Sequence, residues 1–124
     1  MAIVNIESGR RSLPLDAPDD RLLGVLEPKL APAVADRRAA VQESLDEPIG
    51  CAPLDGLLAG AGTALILTVD SSRPSPAPLL LPILDRCDAA GVGVTVCIAI
   101  GRHREMTDDE IRVHLTPEVC GRCA

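Results

Sequence analysis

Residues 63–100 read TALILTVDSSRPSPAPLLLPILDRCDAAGVGVTVCIAI. Two apolar runs bracket this stretch, TALILTV at 63–69 and VGVTVCIAI at 92–100. Runs of this length, rich in Val and Ile, suit strands covered on both faces, as in a parallel sheet. Between them lies a polar, proline-rich loop, DSSRPSPA at 70–77. A helix follows from about Leu79 to Ala90, with Gly91 placed as its C-terminal cap. Pro82 should kink that helix or delay its start. Strand, loop, helix, strand at this spacing predicts a βαβ crossover between parallel strands.

The pattern continues outward on both sides. Residues 101–106 form a second polar loop, and Thr107-Asp108-Asp109-Glu110 is a capping box opening a helix over 108–115. Thr116-Pro117 should end it, leaving the last nine residues, TPEVCGRCA, without a terminal element. Upstream, 54–59 reads as a short helix closed by Gly60 and Gly62. Residues 33–45 read as another helix, with Val34, Val41 and Leu45 on one face. Residues 21–26 (RLLGVL) read as a strand or extended segment, 12–20 (SLPLDAPDD) as turn, and Ile3, Val4 and Ile6 as a short first strand. The fold class is α/β, a partial Rossmann-like parallel sheet with crossover helices.

Composition narrows the function. The 124 residues are enough for one compact domain. Hydrophobic residues make up 47%, yet Phe, Tyr and Trp are absent, so the core must be aliphatic. Stacking platforms for single-stranded nucleic acid and aromatic cages for methylated amines are thereby excluded. A net charge of −6 argues against nucleic acid as a partner. Lys29 is the sole lysine, hence the one candidate for chemistry that needs an amine. No run reaches the length of a membrane span, and the first residues carry no secretory pattern. Five cysteines, an odd number, then point to free thiols in a reducing cytoplasm.

Open parallel sheets bind ligands beyond the carboxyl ends of their strands. Both polar loops leave such ends. The first carries Asp70, Ser71, Ser72 and Arg73; the second carries Arg102, His103 and Arg104. Neighbouring strands would turn both loops toward one crevice. Arg73, held extended before Pro74, could clamp a carboxylate or phosphate with two hydrogen bonds. Ser71, Ser72 and free N–H groups at the helix start are anion ligands. The plainer alternative makes Asp70 or Ser75 a cap and Arg73 a surface residue. His103 suits proton transfer near neutral pH, and the charges of Arg102 and Arg104 favour a neutral ring able to act as a base. Its plain alternative is an exposed loop histidine. His114, amid Val113 and Leu115, reads as a surface or satisfied helical histidine. Cys120-Gly121-Arg122-Cys123 is a single CxxC, short of the four ligands a structural zinc needs.

These loops resemble those of the nickel-pincer-dependent lactate racemases, the LarA-like family, and the match runs in order along most of the chain. Residues 15–21 (LDAPDDR) through 24–27 (GVLE) look like its N-terminal segment. Glu47-Pro48-Ile49-Gly50 with Pro53-Leu54 resembles its NPIG..PL turn. Asp70 to Pro76 (DSSRPSP) resembles its D.TRP.P loop, with Ser72 for the usual Thr. Gly101 to Thr107 (GRHREMT) resembles its GTHR.MT loop, with Arg102 for a small residue.

The resemblance implies racemisation or epimerisation of a small 2-hydroxy acid such as lactate. It implies hydride transfer to a nickel-pincer mononucleotide, with two histidines as acid and base on the hydroxyl. By similarity His103 is one of them. By the same resemblance Asp70, Ser71, Ser72 and Arg73 bind the cofactor's nucleotide part and border the substrate, and Arg73 meets the substrate carboxylate. In the family the second histidine, the covalent cofactor lysine, the nickel-binding histidine and a second domain lie further along the chain. Residues 1–124 are therefore expected to be the N-terminal portion of the catalytic domain of a larger two-domain protein. The missing C-terminal part would be their partner, and the piece alone would be inactive. Two other readings stand beside this one. The chain could be a small anion- or nucleotide-binding α/β module without catalysis, or a degenerate truncated product.

Overall fold

A computed structural model describes residues 1–123. The chain divides into two compact units, Met1–Ala33 and Val34–Ala124.

The first unit is an antiparallel ribbon followed by irregular backbone. Strand β1 (Ala2–Ser8) pairs with β2 (Arg11–Ala17), with Ser8 opposite Arg11 and Ala2 opposite Ala17. Gly9 turns the chain with φ 64°, the left-handed backbone that a two-residue hairpin demands. The strand at 11–17 replaces the turn expected over most of 12–20. Leu13 and Leu15 alternate with Ser12, Pro14 and Asp16, and this period-2 pattern outweighs the turn-forming residues. Pro14 is tolerated because each strand of a two-stranded ribbon is an edge. Residues 21–26 carry no strand, only irregular backbone.

The second unit holds the βαβ element. Helices α1 (Arg37–Asp46) and α2 (Leu54–Leu58) precede β3 (Thr63–Val69). Helix α3 (Ala77–Ala89) crosses to β4 (Gly93–Ala99), which pairs with β3 in parallel, Thr63 opposite Gly93 and Val69 opposite Ala99. Helix α4 (Asp108–Leu115) and the short α5 (Pro117–Cys120) follow. The partial parallel sheet with its crossover helix is the architecture the sequence led us to expect.

Four local expectations change. Helix α3 begins at Ala77 and runs through Pro82, which does not delay it. Proline removes only its own N–H bond, so the missing link is the one to the Pro78 carbonyl four residues back. The final residues are not bare, because Pro117 starts α5 and Val119 within it is fully buried. The sheet is covered on one face only. Leu65 and Leu67, which alternate with half-buried Ala64, Ile66 and Thr68, are 64% and 69% exposed. Within α1, Val41 and Leu45 are half-buried as anticipated, whereas Val34 lies before the helix and is exposed.

The core is small and aliphatic. Leu80, Leu84 and Cys87 of α3 meet Val92, Val94, Leu58, Leu115 and Val119. These contacts fix α3, α4 and α5 against the sheet and set the two loops at the strand ends.

Candidate functional site

Asp70 is the first residue after β3, and its side chain is buried, with 5% of the residue exposed. A buried carboxylate needs partners. Oδ1 accepts from the Ser72 backbone N–H at 3.1 Å and from the Ser72 hydroxyl at 2.5 Å. The Arg73 N–H bonds the Asp70 carbonyl at 3.1 Å, closing a tight turn. Thus the DSSR tetrapeptide folds on its own aspartate, as Asx turns do.

His103 comes from the other strand end. Gly101 adopts φ 58° after β4, and the His103 N–H bonds the Ile100 carbonyl at 3.0 Å. This turn carries the imidazole back to Asp70, where Nδ1 lies 2.5 Å from Oδ2. The Ser72 hydroxyl first, and His103 second, hold the Asp70 carboxyl down at about 2. Asp70 is therefore ionised across the neutral range and can only accept, so Nδ1 must donate. In the neutral ring that leaves the Nε2 lone pair free. It has no partner among the described residues, and the His103 side chain is 61% exposed.

Asp70, Ser71, Ser72, His103, Arg104 and Met106 line one open cleft of about 260 Å³. Four of the five residues assigned to the site from the sequence, Asp70, Ser71, Ser72 and His103, thus meet there. Arg73 does not line the cleft; it stands exposed beside it and forms no ion pair among the described residues. Ser75 is not the N-cap of α3, which is Pro76; its hydroxyl accepts from the Ala77 N–H at 3.3 Å in a turn just before the helix. Arg104 is paired with a carboxylate of α4. Its guanidinium makes a two-pronged contact with Glu110, at 2.6 and 2.8 Å. Arg104, then the Thr107 N–H, bring the Glu110 carboxyl to about 2. Thr107 and Glu110 complete the expected capping box.

Sequence reasoning missed the Arg104–Glu110 pair and the part played by Met106. The capping box held the signal for the first, because it places Glu110 at the loop's exit. His114 is buried and satisfied, with Nε2 3.0 Å from the Val69 carbonyl. Cys120 and Cys123 are half-buried against the core, and burial pushes the Cys123 thiol up. No three of His, Cys, Asp and Glu gather as metal ligands among the described residues. No helix among them is long and apolar enough to cross a membrane.

A parallel βαβ unit with an Asp–His pair and a hydroxyl-bearing loop at its strand ends places the chain among the α/β proteins. More narrowly, the chain belongs to the lactate racemase N-terminal domain family, whose model matches residues 8–124. It is 32% identical over 117 residues to a lactate racemase of Thermoanaerobacterium thermosaccharolyticum. It is 28% identical over 116 residues to a lactate racemase of Lactiplantibacillus plantarum. Each match takes in 90% of this chain, which spans 28% and 27% of those relatives.

Proposed function

We propose that this chain forms the proton-transfer and nucleotide-binding part of a nickel-pincer-dependent racemase of small 2-hydroxy acids. The observation that carries the reading is the Asp70–His103 pair, joined at 2.5 Å across the ends of two parallel strands. His103 takes the proton of the substrate's 2-hydroxyl at Nε2 and later returns it. Asp70 holds the ring with Nδ1 protonated and stabilises the imidazolium that forms, the role of an aspartate beside a catalytic histidine. Arg73, exposed and without an ion-pair partner among the described residues, offers a forked guanidinium to the substrate carboxylate.

The cofactor's fit divides into two parts. The Ser71 hydroxyl and the Arg73 guanidinium are donors suited to a mononucleotide phosphate. A metal centre would draw its ligands from elsewhere, because no metal-ligating group is gathered among the described residues. When bound, such a cofactor supplies a reversible acceptor for the substrate's 2-hydrogen as hydride. The second histidine and the cofactor lysine would be provided by the remainder of the protein, the partner of this segment. A reducing cytoplasm suits the five cysteines, all free.

The decisive experiment is a chimera. Residues 8–124 replace the matching segment of the Thermoanaerobacterium thermosaccharolyticum enzyme, loaded with its own cofactor. The chimera should interconvert lactate enantiomers, and His103→Asn should reduce the rate by roughly 10²–10⁴-fold, the span of general acid–base catalysis. A folded, loaded chimera that is indifferent to His103→Asn would overturn the assignment. The chain itself gives a second readout. Nicotinic acid mononucleotide should shift NMR signals of residues 70–73 and 101–106, and the absence of any shift would overturn the nucleotide site.

A further inference from the structure

His103 is not the sole histidine joined to the 70–76 loop. His114 lies in α4, 7% exposed, with Nε2 3.0 Å from the Val69 carbonyl. A carbonyl only accepts, so Nε2 carries a proton and donates it. Val69 ends β3, and its carbonyl belongs to the peptide that continues into Asp70. The backbone carbonyl of His114 accepts in turn from the Ser75 hydroxyl at 2.6 Å. One residue of α4 thus grips the loop at both ends, by its side chain before Asp70 and by its backbone at Ser75. The grip is local to the site: Ser71 lines the cleft beside His114 and also the cleft of the Asp70–His103 pair.

We propose that His114, with Ser75, is a positioning residue for the site, fixing the direction in which Asp70 leaves β3 and so the meeting of its carboxylate with His103. The catalytic consequence rests on the function proposed above; the placement of Asp70 does not. Two unrelated hydrogen bonds converge on the loop that bears the dyad. The Ser75 bond uses the backbone of residue 114, whereas the bond to the Val69 carbonyl needs the imidazole, which a side chain that only filled space would not supply.

The test follows the Asp70 carboxyl by carbon-13 NMR across acid pH in the full chain. In the wild type it should titrate at about 2. His114→Leu should move the midpoint up toward the ordinary 3.8, because the loop that presents Ser72 and His103 to Asp70 slackens. Ser75→Ala should give a smaller rise. His114→Gln, which keeps an N–H donor, should return part of the shift. Nicotinic acid mononucleotide should bind His114→Leu roughly tenfold more weakly, the worth of one hydrogen bond. A folded His114→Leu with an unmoved midpoint would overturn the proposal. Should that variant fail to fold, an unmoved midpoint in Ser75→Ala would overturn it equally. If the wild type binds no mononucleotide, the proposed function falls, and the Asp70 midpoint still decides the role of His114.

Discussion

The molecule contains two pairs of seven-residue strands that differ in what lies on them. The β1–β2 ribbon is antiparallel and entirely local, closed by two turn residues. No residue of Met1–Ala33 is buried. The β3–β4 pair is parallel, so its strands meet only through the crossover carrying α3. That helix supplies Leu80, Leu84 and Cys87 to the core, and the same crossover brings Asp70 and His103 together. Pairing strands does not by itself make a site. A site needs strand ends held at a fixed separation by something packed, and only the second pair has that.

Core truncation should break this contrast most strongly. Leu84 is fully buried in the middle of α3. Leu84→Ala should destabilise the second unit by about 2–5 kcal/mol, as buried leucine deletions do. In the ribbon, Ile6 is 47% exposed, and Ile6→Ala should cost well under half as much. Urea unfolding followed by residue-resolved NMR separates the two. Equal losses would mean that Ile6 is packed as firmly as Leu84.

Backbone strain comes next. Thr116 joins α4 to α5 at φ 77°, ψ 150°, a region that is nearly glycine's alone. Pro117 accounts for the extended ψ but not for the positive φ. The Thr116 hydroxyl is also buried without a partner. Thr116→Gly should therefore stabilise the second unit by about 1–2 kcal/mol, after allowing for glycine's extra chain entropy. A fall in melting temperature would contradict it. The converse change tests the ribbon. Gly9→Ala puts a side chain where φ is 64° and should weaken the hairpin by about 1 kcal/mol, leaving the melting of the second unit untouched. Hydrogen exchange of residues 2–17 reads this directly.

The parallel half was far more legible than the ribbon. Continuous apolar runs at 63–69 and 92–100 read plainly as strands, and β3 falls on the expected residues. The capping box made α4 equally plain. Over 12–20, Pro14, Pro18 and three aspartates masked a period-2 alternation of leucines. Of the site, Asp70, Ser71, Ser72 and His103 could be placed together from topology alone. Their bonding could not, because the Arg104–Glu110 and His114–Val69 contacts depend on how α4 packs. The one-sided cover of the sheet was illegible for a related reason. A run such as TALILTV encodes what its faces tolerate, whereas the cover on each face is set by the neighbouring elements.

The smallest expected effect is on the acid limb of stability, and it too divides the two units. Asp70 and Glu110 both titrate near 2 in the folded second unit, below their ordinary values of 3.8 and 4.5. Groups with depressed folded values favour the native state while ionised. Their contribution is complete above the ordinary values and is lost as pH falls from about 4.5 through about 2. Solvent limits its size, since the partner side chains of His103 and Arg104 are 61% and 72% exposed and salt screens such pairs. Double substitution Asp70→Asn with Glu110→Gln should lower stability at neutral pH and flatten its decline between pH 4.5 and 2. The ribbon's own response over that interval, read from β1 and β2 amides, should be the same in wild type and variant. An unchanged acid limb in the second unit would mean that neither carboxylate is held as its hydrogen bonds require, and the dyad would lose its anchor along with the contrast.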